Sequence, residues 1–417
     1  MHNLLLVFTI IFSSLSLGMT KVKLYPLLLD GSKQTNYKII GEGSFGRVAI
    51  FSELPNKAVK VFKMNFSLTQ DQLKVNFTSN EIDLHTLFNM LSSEKEISVK
   101  NLGTSIAEIK SLSCLNHPYI IYADTICLIK CEKKGQFCLG VILPLASASL
   151  DEGWICCLRG QSKLNIFNSY KTLDNFYCKT LFSFVDNLLN ALAYLDGLNL
   201  THSDFKSANI LIFKTQGKIS DLSEVHSNKL LQKLISNQDA VFTSCYRPPE
   251  VWEHMSKKFE ACSEDMCKLH IFSLGLVIWD LFYKTPLFSE IKSKNLEEDL
   301  AIVRNKTIIL QSLRDDGDFA DPILKPIQDG IYHSHPLLSL AIDHMLQSDP
   351  KMRMNAQQLL DVLDSNEFKK DLNHFCQEID EINEDFDETI AISREEEGYD
   401  DKNEDELNSS KKRVRVD

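Results

Sequence analysis

The sequence has no pair of Cys-x-x-Cys motifs, no excess of positive charge and no apolar run of membrane-spanning length. Its 11 cysteines are scattered between Cys114 and Cys376, which argues against a zinc site and favours reduced thiols in a reducing compartment. The formal net charge is −12, so we expect no direct nucleic-acid binding. The most apolar runs, residues 4–12 and 271–283, are too short to span a bilayer.

What remains is an ordinary globular composition with one acidic end. A length of 417 residues is enough for two or more domains and a large core. The hydrophobic share of 44% and the charged share of 24% are ordinary for a globular protein. Residues 371–417 hold 17 Asp and Glu against 6 Lys and Arg, a net charge of −11, so residues 1–370 are close to neutral. The acidic run 378–406 lacks apolar periodicity, which predicts a disordered tail.

Two segments give conflicting indications of localisation. Residues 4–12 resemble the apolar part of a signal peptide, although no Lys or Arg precedes them, and a start at Met19 would make residues 1–18 an untranslated leader. The basic cluster at 411–415 resembles a nuclear localisation signal and equally fits a solvated charge cluster. We expect a cytoplasmic or nuclear protein, with the secretory pathway as the alternative.

Residues 201–211 read Thr-His-Ser-Asp-Phe-Lys-Ser-Ala-Asn-Ile-Leu and contain an H-x-D-x-K-x-x-N pattern. The Leu- and Ala-rich run before this loop predicts a helix, and the residues after it predict a strand. An acid (Asp204), a cation (Lys206) and an amide (Asn209) on one loop suit phosphoryl transfer, which depends on positioning groups and neutralising charge. A polar loop with helix-capping Asp and Asn is the alternative interpretation.

A glycine-rich segment lies between two predicted strands near the start of the chain. It is a G-x-G-x-x-G-x-V motif formed by Gly41, Gly43, Gly46 and Val48. Glycines allow a backbone to fold over phosphates, and a strand after the motif indicates a hairpin lid rather than a Rossmann helix. The next predicted strand carries Lys60 among apolar residues, where a cation is costly unless it is paired.

Lys60 therefore needs a carboxylate partner on a nearby helix. Apolar residues recur every three positions from 106 to 115, which predicts a helix carrying Glu108 beside its apolar stripe. Glu81 is the rival partner. We favour Glu108 because a His-Pro pair follows its helix, and residues 64–100 are then an insertion.

Further acids follow the central loop. Asp221 comes after a predicted strand, 12 residues past Asn209, where a second metal-binding carboxylate is needed; a turn-forming Asp is the alternative. The run Tyr-Arg-Pro-Pro-Glu that ends at Glu250 predicts a turn leading into a helix. Arg353 is predicted in the first turn of a helix that begins near Asp349, where a cation implies an ion pair.

In this order the motifs resemble the eukaryotic protein kinase superfamily, serine/threonine type, over residues 37–363. The resemblance implies an α+β, two-lobed fold with a small β-rich N-lobe (37–143) and a larger helical C-lobe (144–368) joined near Pro144, before an acidic tail (369–417). It also implies transfer of the γ-phosphoryl group of ATP to protein substrates, with Mg²⁺. The implied site consists of Asp204 and Lys206 for catalysis, Gly41, Gly43, Gly46, Val48, Lys60 and Glu108 for ATP, Asn209 and Asp221 for Mg²⁺, and the structural pair Glu250 and Arg353.

Three residues depart from the family pattern. Ser203 replaces the Arg before the catalytic Asp, which puts activation by phosphorylation in question. Ser223 replaces the glycine of the D-F-G motif, and His270 replaces an Asp that anchors the catalytic loop. None of the three removes a group that the resemblance assigns to ATP, Mg²⁺ or the substrate hydroxyl. The alternative function is a pseudokinase that acts as a binding scaffold.

Overall fold

The computed structural model describes residues 21–29, 37–42, 46–67, 81–83, 99–131, 136–152, 175–214, 216–257, 263–283, 286–291, 295–312 and 335–377. The predictions made for Gly43, for residues 1–18 and for the tail beyond residue 377 lie outside these ranges. None of the helices within them has the length and hydropathy needed to cross a membrane.

A seven-stranded sheet forms the N-terminal region. Its strands in chain order are β1 (Lys21–Leu29), β2 (Tyr37–Glu42), β3 (Gly46–Phe51), β4 (Lys57–Ser67), β5 (Glu81–Asp83), β6 (Thr125–Cys131) and β7 (Gln136–Pro144). They lie in the order β2-β3-β4-β7-β6-β1-β5, and every neighbouring pair is antiparallel except β1 and β6.

Alternation along β4 separates the two faces of the sheet. Val59 and Val61 are buried in an apolar cluster on one face, together with Phe51. Lys60, between them, points to the other face because successive strand residues alternate sides. That face meets helix α1 (Val99–Cys114), whose Ile109 is fully buried.

The predicted insertion near 64–100 is shorter than expected at both ends. Residues 65–67 continue β4, because Asn65 and Ser67 keep their pairing with Cys138 and Gln136 of β7. The last two residues of the predicted insertion already belong to α1. Strand β4 continues to Ser67, beyond the end of the apolar pattern, because it keeps pairing with β7 after a register shift between Val61 and Asn65.

The C-terminal region is built from helices and short strands. The helices are α2 (Asn175–Gly197), α3 (Asn228–Ser236), α4 (Pro249–Lys257), α5 (Leu269–Tyr283), α6 (Leu296–Ser312), α7 (Pro336–Leu340), α8 (Ala356–Asp364) and a helix over 366–377. Helix α5 is apolar on all sides because it is enclosed: Phe272, Val277 and Trp279 have no exposed surface.

Short strands fix both ends of the central loop. They are β8 (Ala148–Ser149), β9 (Leu200–His202), β10 (Ile210–Phe213), β11 (Gln216–Ile219) and β12 (Val225–Ser227). Strand β12 pairs with β9 before the loop, and β10 after the loop forms a hairpin with β11. Backbone bonds from Ile121 to Ile219 and from Ile219 to Tyr119 tie β11 to the segment that follows α1. Strand β11 thereby joins the strand after the central loop to the segment that follows α1.

The prediction that Arg353 lies in the first turn of a helix is wrong. Helix α8 begins at Ala356, because Asn355 accepts a hydrogen bond from the Gln358 backbone and the Gln358 side chain accepts one from the Asn355 backbone. Residues 349–352 instead form a turn in which Asp349 accepts from the Lys351 backbone.

Candidate active site

Lys60 joins residues from three distant parts of the chain. Its Nζ forms the predicted ion pair with Glu108 of α1 and lies 3.2 Å from Oδ1 of Asp221, just after β11. Glu108 is only 1% exposed, so this pair is held in a largely dry environment. Glu81, the rival partner, lies on β5, where its backbone is in register with Lys23 of the neighbouring strand β1.

Opposite charges keep both Lys60 and Asp221 ionised. Burial alone would lower the pKa of Lys60, but the charges of Glu108 and Asp221 outweigh burial and raise it. Burial would raise the pKa of Asp221, and the nearby Lys60 lowers it instead. At neutral pH the site therefore presents an ammonium beside ionised Asp221.

Asp204 is oriented through both of its carboxylate oxygens. Oδ1 accepts from the backbone N–H of Thr243 (2.8 Å) and from its hydroxyl (2.7 Å), and Oδ2 accepts from Lys206 Nζ (2.6 Å). Lys206 also donates to the Thr243 hydroxyl at 2.8 Å. Burial alone would raise the pKa of Asp204, but these donors lower it, so the carboxylate is ionised at neutral pH.

Asn209 and Asp221 supply the oxygen ligands that Mg²⁺ prefers. The Asn209 Nδ2 donates to the Asp204 carbonyl at 2.8 Å, which leaves its Oδ1 free to accept or to ligate. Within the described residues no group of three or more His, Cys, Asp or Glu side chains could hold a metal ion. The residues nevertheless fit Mg²⁺, which usually takes one or two protein oxygens and completes its shell with phosphates and water.

The two strands that flank the glycine-rich turn lie in the same sheet as Lys60. Strands β2 and β3 pair through Gly41 and Val48, and Val48 lies opposite Lys60 on β4. A Cβ on Gly46 would lie 2.6 Å from the Val61 carbonyl oxygen, so only glycine fits there. Gly41, Gly46 and Val48 thus lie beside the Lys60 cluster, whereas Gly43 is outside the described residues.

Ser203 and His270 have contacts of their own. Ser203 is buried, and both its backbone N–H (2.9 Å) and its hydroxyl (3.2 Å) donate to the Glu224 carbonyl. His270 is fully buried on α5, with Nε2 lying 3.0 Å from Oδ1 of Asp196 at the end of α2. Ser203 therefore ties the residue before Asp204 to the segment after Asp221, whereas neither ring nitrogen of His270 forms a hydrogen bond within the described residues.

Glu250 and Arg353 form a bidentate ion pair, with distances of 2.7 and 3.1 Å. The guanidinium also donates to the carbonyls of Lys268 and Gln347 and is 1% exposed. This pair joins α4 to the turn before α8. The ion pair forms although Arg353 does not lie in the first turn of a helix. Its planar guanidinium matches the two oxygens of the Glu250 carboxylate.

Several functional contacts were not predicted from the sequence. Thr243 is a direct partner of Asp204, the Ser223 hydroxyl donates to Asp221, and Tyr246 donates to Asp280 of α5. A lone acid in the apolar run of α5 was the signal for the last of these. The sequence near Thr243 and Ser223 does not indicate their contacts, because these depend on how the segment after Asp221 folds back.

Comparison with known proteins identifies a family. The protein kinase domain matches residues 34–362. Similar curated proteins include the mitogen-activated protein kinase homolog NTF3 of Nicotiana tabacum, 28% identical over 210 residues that make up 47% of this chain and 52% of that protein. Another is the probable serine/threonine-protein kinase nek3 of Dictyostelium discoideum, 25% identical over 341 residues, or 81% of this chain and 24% of that protein.

A third relative is the cyclin-dependent kinase 12 of Caenorhabditis elegans, 31% identical over 120 residues, which cover 28% of this chain and 15% of that protein. The chain spans about half or less of the length of these curated relatives. The match over residues 34–362 and the arrangement of sheet and helices confirm the predicted α+β, two-lobed fold.

Proposed function

Because this chain belongs to the protein kinase domain family, we propose that it transfers the γ-phosphoryl group of ATP to serine or threonine hydroxyls of protein substrates. The observation that carries the proposal is the ionised Asp204, held through both oxygens by Thr243 and Lys206 on the loop that also bears Asn209. A relative that is named as a probable serine/threonine-protein kinase supports the choice of serine and threonine as acceptors.

Each residue has a distinct task in this proposal. Asp204 orients the substrate hydroxyl and accepts its proton, and Lys206 stabilises negative charge on the transferred group. Lys60 binds the α- and β-phosphates while Glu108 holds it in place. Asn209 and Asp221 would hold Mg²⁺, which would supply positive charge to the phosphates.

Removing the base or the phosphate clamp tests this proposal. We expect Asp204→Asn and Lys60→Met each to reduce phosphoryl transfer by about 100-fold or more, because general-base catalysis and charge neutralisation each contribute factors of this size. The measurement is transfer of label from γ-labelled ATP, with Mg²⁺, to a generic basic or acidic protein.

The ion pair between Lys57 and Asp124 provides matched controls. Lys57 lies on β4, three residues before Lys60, and donates to Asp124 at 2.5 Å, with both side chains partly exposed. Lys57→Met and Asp124→Asn should keep transfer within about twofold of wild type, because exposed ion pairs contribute little. Equal transfer by wild type and Asp204→Asn would favour the alternative of a binding scaffold without catalysis.

A further inference from the structure

Ser223 stands two residues after Asp221 and is 3% exposed. Its hydroxyl donates to Oδ1 of Asp221 at 3.2 Å. A glycine, which the family pattern has at this position, offers no such donor. The hydroxyl is therefore an additional contact that this chain makes to a carboxylate of the site.

The hydrogen bonds to Asp221 are divided unequally between its oxygens. Oδ1 accepts from both Lys60 and Ser223, each at 3.2 Å. Oδ2 accepts no hydrogen bond from any residue that the structure describes. The Asp221 side chain is 34% exposed, so the carboxylate that carries this second oxygen is not sealed from solvent.

The backbone of Asp221 also needs support. Its φ of 54° and ψ of 58° lie in the left-handed region, which non-glycine residues seldom adopt. Such conformations persist only where surrounding contacts hold them. Lys60 is a shared partner, since it also binds Glu108, so Ser223 is the donor dedicated to Asp221.

We propose that Ser223 is a positioning residue, whose hydroxyl holds Oδ1 of Asp221 and so presents Oδ2 to the divalent cation that accompanies ATP. Residues that hydrogen-bond a metal-ligating carboxylate fix its orientation, and their removal weakens metal affinity. The inference rests on the proposed function, in which Asp221 is a metal ligand.

The test measures metal binding without turnover. Mn²⁺ serves as the probe, and the full chain is saturated with a non-hydrolysable ATP analogue while free Mn²⁺ is followed by electron paramagnetic resonance. We expect Ser223→Ala to weaken Mn²⁺ binding about 10-fold, in the range known for residues behind metal ligands. Affinity for the analogue without metal should change less than about twofold, since Ser223 contacts Asp221 rather than the nucleotide.

Two further variants keep the test decisive. Ser223→Cys conserves the size of the buried side chain but is a weaker donor, so it should also lose Mn²⁺ affinity even if Ser223→Ala folds poorly. Ser113→Ala on α1 is the control, because the Ser113 hydroxyl donates within its own helix to the Ile109 carbonyl and should leave Mn²⁺ binding unchanged.

Asp221→Asn separates the two proposals. If this variant loses Mn²⁺ affinity while Ser223→Ala and Ser223→Cys bind as tightly as wild type, Ser223 is not a positioning residue and the proposed function stands. If Asp221→Asn itself binds Mn²⁺ as wild type does, the metal role assigned to Asp221 fails, and with it the basis of the inference.

Discussion

Asp280 is the one acid of helix α5 and lies next to the segment that carries Thr243. Burial raises the pKa of its carboxyl from 3.8 to about 7, although a hydrogen bond from Tyr246 opposes this rise. The same tyrosine hydroxyl lies 2.9 Å from Ser207 Oγ in the central loop. The protonation of one buried carboxyl is thereby linked to the loop that bears Asp204.

Asp280 should make stability fall as pH rises. In the unfolded chain this carboxyl loses its proton near pH 4, whereas the folded chain retains it up to about pH 7. Its stabilising contribution is therefore complete below pH 4, declines between about pH 4 and 7 by at most about 1.4 kcal/mol per pH unit, and is constant above. Asp280→Asn has no proton to lose, so the difference in unfolding free energy between wild type and variant should follow this curve.

Urea unfolding of both proteins at a series of pH values from about 4.5 to 8.5 measures that difference. Subtracting the variant removes the contributions of the other titrating groups, which the two proteins share. A difference that does not change with pH would show that Asp280 is ionised in the folded protein.

At the level of the element, helix α3 anchors the segment between Asp221 and Glu250. Ser227 caps the helix by accepting from the Leu230 backbone. Two side chains on one face of α3 are buried in a cluster whose members are Leu231, Ile235, Phe242, Val251, Met266 and Leu269. This cluster attaches the segment to α4 and α5 through apolar contacts. Apolar burial therefore helps to order the segment, together with the hydrogen bonds from Thr243 to Asp204 and from Tyr246 to Asp280.

Leu231→Ala should lower the free energy of unfolding by about 3 kcal/mol, because it removes a fully buried side chain and leaves a cavity. It should also lower phosphoryl transfer, since Thr243 belongs to the same segment and orients Asp204. Leu230 is the matched control: it is the adjacent residue of the same helix, is 44% exposed, and its change to alanine should cost less than about 0.5 kcal/mol. Urea unfolding and the kinase assay together measure both effects, and equal losses in the two variants would contradict an anchoring role for the buried face.

At the scale of the whole molecule, charge is separated along the chain. The net charge is close to zero over residues 1–370, and the acidic tail ends in the basic cluster at 411–415. A short cluster of Lys and Arg after an acidic segment resembles a nuclear localisation signal.

We expect a chain tagged at its C-terminus to accumulate in the nucleus and to lose that accumulation when the four basic residues Lys411, Lys412, Arg413 and Arg415 become alanine. Replacement of Arg394 and Lys402, two basic residues within the acidic run, is the control and should leave the distribution unchanged. Imaging of the tagged proteins is the measurement. Secretion that depends on residues 2–18 would instead support the signal-peptide interpretation.

Local patterns in the sequence determined the elements and the residue types of the candidate site. Three features of the site depend on spacings of only a few residues: the G-x-G-x-x-G motif before a strand, the lysine in an apolar strand, and the polar loop between helix and strand. Periodicity and turn-forming residues indicate such features directly. The start of α8 was misplaced because the capping pair Asn355 and Gln358 outweighs the Asp-Pro signal before it.

Only the tertiary structure decided which of these groups meet. Lys60 is 48 residues from Glu108 and 161 residues from Asp221 along the chain. Folding brings all three together, because α1 carries Glu108 to the sheet and the segment after β11 carries Asp221 to Lys60. The Ser223 hydroxyl, the Thr243 contacts and the Asp280–Tyr246 bond follow from the same folding. No local pattern in the sequence reports such pairs. A hydrogen bond forms only when donor and acceptor lie about 3 Å apart and are well aligned, and the chain brings these side chains to that distance only when its core is packed.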